Sequence, residues 1–214
     1  MKVPDTAFTI TSEEELRSFY ANTHALAIKK CLPKLDRHCR EFIARSPFLC
    51  LSTQHANGSA DVSPRGDPAG FVQILDDNTL IIPDRPGNNR LDSLSNILSN
   101  SSVGLLFVAP GFDDALRVNG KASLSRDPQL LESMIVKGRT PTLAIVVQIN
   151  EAFLHCAKAF RRAKLWKAES HQDRSEMTSM IGMILEQSSG QPADPETLPA
   201  AEKDLEEEYN QTMY

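Results

Sequence analysis

The sequence predicts a mainly β protein, an antiparallel sheet or barrel with peripheral helices. From about residue 47 short β segments recur with turns between them. Asn57-Gly58 is a strong hairpin signal, because both residues tolerate the positive φ that a tight turn requires. Only one convincing helix, Asn89–Ser99, interrupts the strands, which argues against βαβ units.

The first forty-odd residues read as helical. Thr11 or Ser12, answered three residues on by a glutamate, offers a capping box before Leu16, Phe19 and Tyr20. A second helix is expected from Asp36 as N-cap through Cys39, Phe42 and Ile43 to about Ser46, stopped by Pro47. Strands are then expected at Phe48–Thr53, Ser59–Ser63, Gly70–Leu75, Thr79–Ile82, Val103–Ala109, Ala115–Ser125 and Leu143–Ile149, with Phe153–Cys156 completing the set. Ala157–Ala168 reads as a basic amphipathic helix and Ser175–Gln187 as a helix with a Met-rich face suited to packing. Beyond Ser188-Ser189-Gly190 the chain is Pro-rich and acidic, with a short helix at Ala200–Tyr209. The domain plan is thus N-terminal helices over 1–46, the barrel with its helices over 47–187, and an acidic tail over 188–214 that is mobile or lies on a partner subunit.

Composition narrows the function classes. The net charge of −5 is uneven: seven acids and one lysine lie in 191–214, so the rest of the chain has 22 basic and 21 acidic residues. A near-neutral body lacks the basic field of a nucleic-acid binder, and any anion must be held by a local cluster. No run of eighteen apolar residues is present and the N-terminus has no secretory pattern, so no membrane partner is expected and the location is read as cytoplasmic. Cys31, Cys39, Cys50 and Cys156 have no CxxC spacing and read as free thiols, with no metal site, although His38-Cys39 and His155-Cys156 are adjacent pairs.

Three polar clusters fall where the strand pattern breaks. Ser63-Pro64-Arg65-Gly66 places a hydroxyl and a guanidinium two residues apart at a strand end, suited to a phosphate or to an ordinary surface turn. Arg85-Pro86-Gly87-Asn88-Asn89-Arg90 leads into the 89–99 helix, whose free N–H groups favour an anion; Asn88 or Asn89 is the natural N-cap. Lys158, Arg161 and Arg162 share one helix face, followed by Trp166, whose indole suits packing against a flat ring. Cys156 beside His155 is a weak candidate nucleophile, buried cysteines being commoner than reactive ones. No catalytic pair can be assigned.

The order Ser-Pro-Arg-Gly, then Gly70-Phe-Val-Gln-Ile-Leu, then Pro83-Asp-Arg-Pro-Gly-Asn-Asn-Arg-Leu-Asp-Ser-Leu resembles the pyridoxamine 5'-phosphate oxidase-like FMN-binding split-barrel superfamily. Within it the chain is similar to a bacterial subgroup of probable FMN-dependent enzymes. The likeness continues through Val103–Phe107, Leu116–Ala122 and the His155–Trp166 segment, covering about residues 35–187. It implies a six-stranded antiparallel split barrel that forms a homodimer with FMN at the subunit interface. Ser63 and Arg65 would lie on the FMN strand, and Arg85, Asn88 and Asn89 in the phosphate turn. Arg90 stands where many relatives carry a phosphate-binding lysine. Arg117 and Asn119 would approach the flavin, and Lys158, Arg161 and Trp166 would close the site, across the dimer in one arrangement. The implied activity is FMN-dependent oxidoreduction of a small-molecule substrate; a flavin carrier or sensor, or the same barrel using haem or a deazaflavin, are the alternatives. The C-terminal arginine- and histidine-containing segment by which the vitamin oxidases grip pyridoxal phosphate is not found, which counts against vitamin B6 oxidation.

Overall fold

The computed structural model describes residues 5–214. The chain divides into two units, Met1–Cys31 and Leu32–Tyr214. In the first, a 3-10 turn at Thr6–Phe8 is followed by two short helices, α1 (Glu13–Ser18) and α2 (Ala25–Lys29). The expected capping box forms around Ser12: its Oγ accepts from the Glu15 amide at 3.1 Å, and the Glu15 carboxylate accepts from the Thr11 amide at 3.3 Å. Helix is less extensive here than the sequence suggests, and no residue of these three elements is buried.

The second unit opens on α3 (Arg37–Arg45), capped by Asp36, whose carboxylate accepts from the Cys39 amide at 2.8 Å. That hydrogen bond holds the Asp36 carboxyl below the ordinary aspartate range. Seven strands follow: β1 (Phe48–Gln54), β2 (Ala60–Gly66), β3 (Gln73–Ile74), β4 (Thr79–Pro83), β5 (Ser102–Val108), β6 (Ala115–Ser125) and β7 (Ala144–His155). Between β4 and β5 lies α4 (Asp92–Ser99); α5 (Pro128–Glu132) joins β6 to β7. After β7 come α6 (Lys158–Ala163), α7 (Met180–Ser189) and α8 (Leu198–Thr212).

The strands form one open sheet in the order β2-β1-β5-β6-β7-β4-β3, with every neighbouring pair antiparallel. This is consistent with a split barrel. Six substantial strands carry it, and the two-residue β3 is the remainder of the segment expected over Gly70–Leu75. The two segments expected at Leu143–Ile149 and Phe153–Cys156 are one strand, β7. It stays paired to β6 through a register shift at Asn119/Gly120. Gly120 is required there, because a Cβ would lie 2.2 Å from the Gln148 carbonyl oxygen.

Alternation along the strands sends one face inward. Leu49 and Leu51, Leu105 and Phe107, Leu116 and Val118, and Ile145 and Val147 build the core with Phe42 and Ile43 of α3 and Leu94 and Ile97 of α4. All five residues of β4 are buried, since Ile81 on its other face packs into a small cluster with Leu131 and Met134. The helix expected over 157–168 is confined to α6, and the one expected over 175–187 starts later, at Met180, after a 3-10 turn at Arg174–Glu176. Among the described residues no helix is long and apolar enough to cross a membrane.

Candidate functional site

The site starts from the β1–β2 register. Leu49 pairs with Arg65, Leu51 with Ser63 and Thr53 with Asp61. Directly opposed residues share a face, so Asp61, Ser63 and Arg65 lie on the core side of an edge strand. Strand β2 runs on to Gly66, three residues beyond the expected end, which places both the hydroxyl and the guanidinium on the strand itself. Arg65 donates from Nε to Ser63 Oγ at 3.1 Å and from Nη1 to Asp84 Oδ1 at 2.9 Å.

Facing that strand is the turn after β4. Arg85 donates from Nε to Asp67 Oδ2 at 2.6 Å and from Nη2 to the Met134 carbonyl at 2.9 Å. Its side chain is 15% exposed and that of Asp67 1%. Further on, the Arg90 amide donates to Asn88 Oδ1 at 3.1 Å, an Asx turn, and Arg90 Nε donates to Asp92 at 2.7 Å. The Asp92 carboxylate raises the Arg90 pKa further above its already high value.

Here the helix start is corrected. Neither Asn88 nor Asn89 caps α4: the helix begins at Asp92, with Leu91 at the cap position, φ +60°, and no side-chain cap. Asn89 is also left-handed, at φ +57°. Asparagine accommodates that conformation, whereas leucine does so at a cost of about 1 kcal/mol or more. The chain therefore makes two left-handed steps to swing Arg90 and the helix start around the pocket.

Ser63, Arg65, Arg85, Asn88, Asn89 and Arg90 all line one cavity of about 850 Å³, with Asp61, Asp84 and Asp92 among the other lining residues. Three arginines thus meet three carboxylates at its wall, and the pocket is charged but balanced. Among the described residues, Arg65 Nη2, Arg85 Nη1 and both Nη atoms of Arg90 have no hydrogen-bond acceptor. Those are the donors through which the site can take an anion.

A buried polar tether holds the two walls together. Thr53 and Ser93 both donate to Asp61 Oδ2 at 3.3 Å, and Asn96 Nδ2 donates to Thr53 Oγ1 at 3.0 Å. Thr53, Ser93 and Asn96 are each under 5% exposed. Sequence reasoning missed these residues. Their signal was available: Thr53 continues the inward alternation of Leu49 and Leu51, and Ser93 and Asn96 sit beside Leu94 and Ile97 on the apolar stripe of α4.

The other five expected site residues line no part of this cavity. Arg117 and Asn119 alternate with core-facing Leu116 and Val118, which puts them on the opposite face of the sheet from Ser63 and Arg65. Arg117 lies 5.3 Å over the Phe153 ring and donates to Asn119 Oδ1 at 3.3 Å; Asn119 donates in turn to Glu151 at 3.0 Å. Arg161 on α6 pairs with Asp113 at 3.0 Å, and Lys158 begins the same helix. Trp166 stacks on Phe160 at 6.1 Å and donates to the Phe112 carbonyl at 2.7 Å. His155 closes β7 and Cys156 follows it, exposed.

An open antiparallel sheet of split-barrel type, with a charge-balanced arginine pocket between its edge strand and an interrupting helix, defines the class. Residues 35–156, more than half of the chain, match the model of the pyridoxamine 5'-phosphate oxidase family, and the chain belongs to that family. Among solved structures it is similar to HupZ of Group A Streptococcus, at 18% identity over 56% of this chain and 93% of that one, with a TM-score of 0.46. It is also similar to a putative pyridoxamine 5'-phosphate oxidase from Lactobacillus delbrueckii, at 22% identity over 57% and 95% of the two chains, TM-score 0.45. An FMN-binding protein from Syntrophomonas wolfei matches at 14% identity over 67% and 97%, TM-score 0.43. No curated protein matches the chain.

Proposed function

We propose that this protein binds FMN and is an FMN-dependent oxidoreductase acting on a small molecule. The observation that carries the reading is the convergence of Ser63 and Arg65 on β2 with Arg85 and the Asn88–Arg90 turn after β4, two separate stretches of chain, on one cavity. Its chemistry fits the cofactor at both ends. Uncommitted guanidinium nitrogens of Arg65, Arg85 and Arg90, with the Ser63 hydroxyl, suit the phosphate; the Asp61 and Asp84 carboxylates suit hydroxyls of a polyol chain. A volume of about 850 Å³ lies in the range of small-molecule and cofactor pockets.

The flavin would supply the electron chemistry when bound, and the protein would bind, orient and tune it. The neutral wall has a physical role in this reading. Arg65 and Arg85, both largely buried, are held in place by Asp84 and Asp67 before an anion arrives, so little of their side-chain entropy remains to be lost on binding. Arg117, Asn119, Lys158, Arg161 and Trp166 belong to the reading through a homodimer. They stand away from the pocket of their own chain, and a second copy would present them to it.

Purified protein tests the reading directly. A yellow solution with oxidised-flavin absorbance, releasing FMN on denaturation, is the expected result; a haem Soret band or a colourless protein that takes up no FMN would overturn it. Arg65→Ala and Arg90→Ala should each lower FMN affinity about tenfold or more, as loss of a charged hydrogen bond does. Anaerobic bleaching by a reduced nicotinamide, followed by turnover with an acceptor, separates an enzyme from a carrier.

A further inference from the structure

The acidic tail ends in a contact that the pocket itself does not explain. After α8, the Tyr214 hydroxyl donates to Asp67 Oδ1 at 2.9 Å. The other oxygen of that carboxylate accepts from Arg85 Nε at 2.6 Å. Asp67 is essentially buried, so both of its oxygens are satisfied by these two groups: one lines the pocket, the other belongs to the tail. The Tyr214 ring also lies 5.9 Å from the Arg85 guanidinium carbon.

Tyr214 is itself held on the other side. Lys137 and Gly138 both have positive φ, +50° and +75°, and make a tight turn closed by a bridge between Val136 and Arg139. That turn presents Lys137 Nζ 4.7 Å from the Tyr214 ring centroid, and the Arg139 guanidinium donates to the Tyr214 carbonyl. The same stretch supplies the Met134 carbonyl that anchors Arg85 Nη2. A phenol, a buried carboxylate and a guanidinium therefore form one hydrogen-bonded relay from tail to pocket.

We propose that Tyr214 is a positioning residue of the anion pocket: through Asp67 it fixes the orientation of Arg85, so that seating of the C-terminal segment sets the strength of phosphate binding. The inference rests on the FMN reading above. A carboxylate that lost its phenol donor would be left with one unsatisfied buried oxygen and would turn to recruit a second nitrogen of Arg85. The nitrogen on the same side as Nε is Nη2, so this would pull Nη2 off the Met134 carbonyl and tilt the guanidinium, turning the Nη1 donor away from its present direction in the cavity.

The test compares FMN with riboflavin, which differs by the phosphate alone, on the 214-residue chain and its Tyr214→Phe, Tyr214→Ala and Asp67→Asn variants. Phenylalanine keeps the ring between Arg85 and Lys137 and removes only the donor, so it keeps the test valid if the alanine variant folds poorly. In the wild type FMN should bind more tightly than riboflavin. Tyr214→Phe should shrink that ratio by about threefold to tenfold and leave riboflavin affinity unchanged. Asp67→Asn should act in the same direction. A ratio unchanged in both tyrosine variants would overturn the inference, as would equal losses for both ligands, which mark a merely structural role. A wild type that does not distinguish FMN from riboflavin would overturn the phosphate reading itself, and this inference with it.

Discussion

At the scale of single residues, the pocket's behaviour depends on what each arginine already holds. Arg65 is paired with Asp84, and both side chains are 18% exposed. An arriving phosphate and the Asp84 carboxylate compete for one guanidinium in a partly desolvated place. Asp84→Asn keeps the shape and a hydrogen-bond acceptor but removes the charge. It should tighten FMN relative to riboflavin by about threefold to tenfold and steepen the salt dependence of binding, read by flavin fluorescence titration. The asparagine still aims Arg65 by accepting its hydrogen bond, so a weaker FMN complex would mean that the Asp84 charge is itself needed for that aim and that this outweighs its competition with the ligand. Cys39 makes a second residue-scale prediction. Burial pushes its thiol from an ordinary 9.0 up to about 11. The folded state thus disfavours the thiolate. Its stability from this group is intact below pH 9, falls as the unfolded chain begins to ionise, and is lost as pH passes about 11. Urea unfolding between those limits should show this alkaline loss in the wild type and a smaller one in Cys39→Ala. Alkylation at pH 8 should reach the exposed Cys156 well before Cys39.

At the scale of elements, α4 matters more as a positioned wall than as a helix dipole. Its first turn is joined to β1 and β2 by the Asn96–Thr53–Asp61–Ser93 tether. Asn96→Ala removes the donor to Thr53 Oγ1, whose own proton stays on Asp61, and should cost about 0.5–1.5 kcal/mol in urea unfolding. A double-mutant cycle with Thr53→Val should show a coupling of about 0.5–3 kcal/mol; additive effects would mean the two act separately. FMN retention should fall in both single variants, because Ser93 and Leu94 line the cavity. Much of this region was legible in the sequence. Short β segments bounded by turn residues located β1, β5 and β6, and the arginines flanking Pro86-Gly87 pointed to the turn that carries them. The extension of β2 to Gly66 was not legible, because Pro64 and Gly66 read as turn residues and are tolerated only because β2 is an edge strand. Nor was the start of α4: asparagine capping is a local preference, and the fold overrides it by forcing Leu91 into a left-handed conformation. The carboxylates facing Arg65 and Arg85 lie 19 and 18 residues away along the chain, so no local pattern could reveal them.

At the scale of the whole molecule, the proposed site is split by the sheet. Ser63 and Arg65 face the core side of the edge strand, while Arg117 and Asn119 stand on the reverse face three strands along. A single strand cannot turn one residue's side chain to both faces, because the pleat alternates strictly. If both sets serve one flavin, two copies of the chain must contribute to each site. Complementation tests this without requiring the interface to be known. Arg65→Ala and Arg117→Ala should each bind FMN poorly alone. When the two variants are unfolded together and refolded, half of the resulting dimers should be mixed, and each mixed dimer should hold one site with both arginines intact. About one quarter of all sites should then recover wild-type affinity, giving a distinct tight phase in an FMN titration. Refolding each variant alone should give no such phase. If the mixture behaves as the sum of its parts, Arg117 acts within its own chain or not at all, and the site consists of the Arg65, Arg85 and Arg90 pocket by itself.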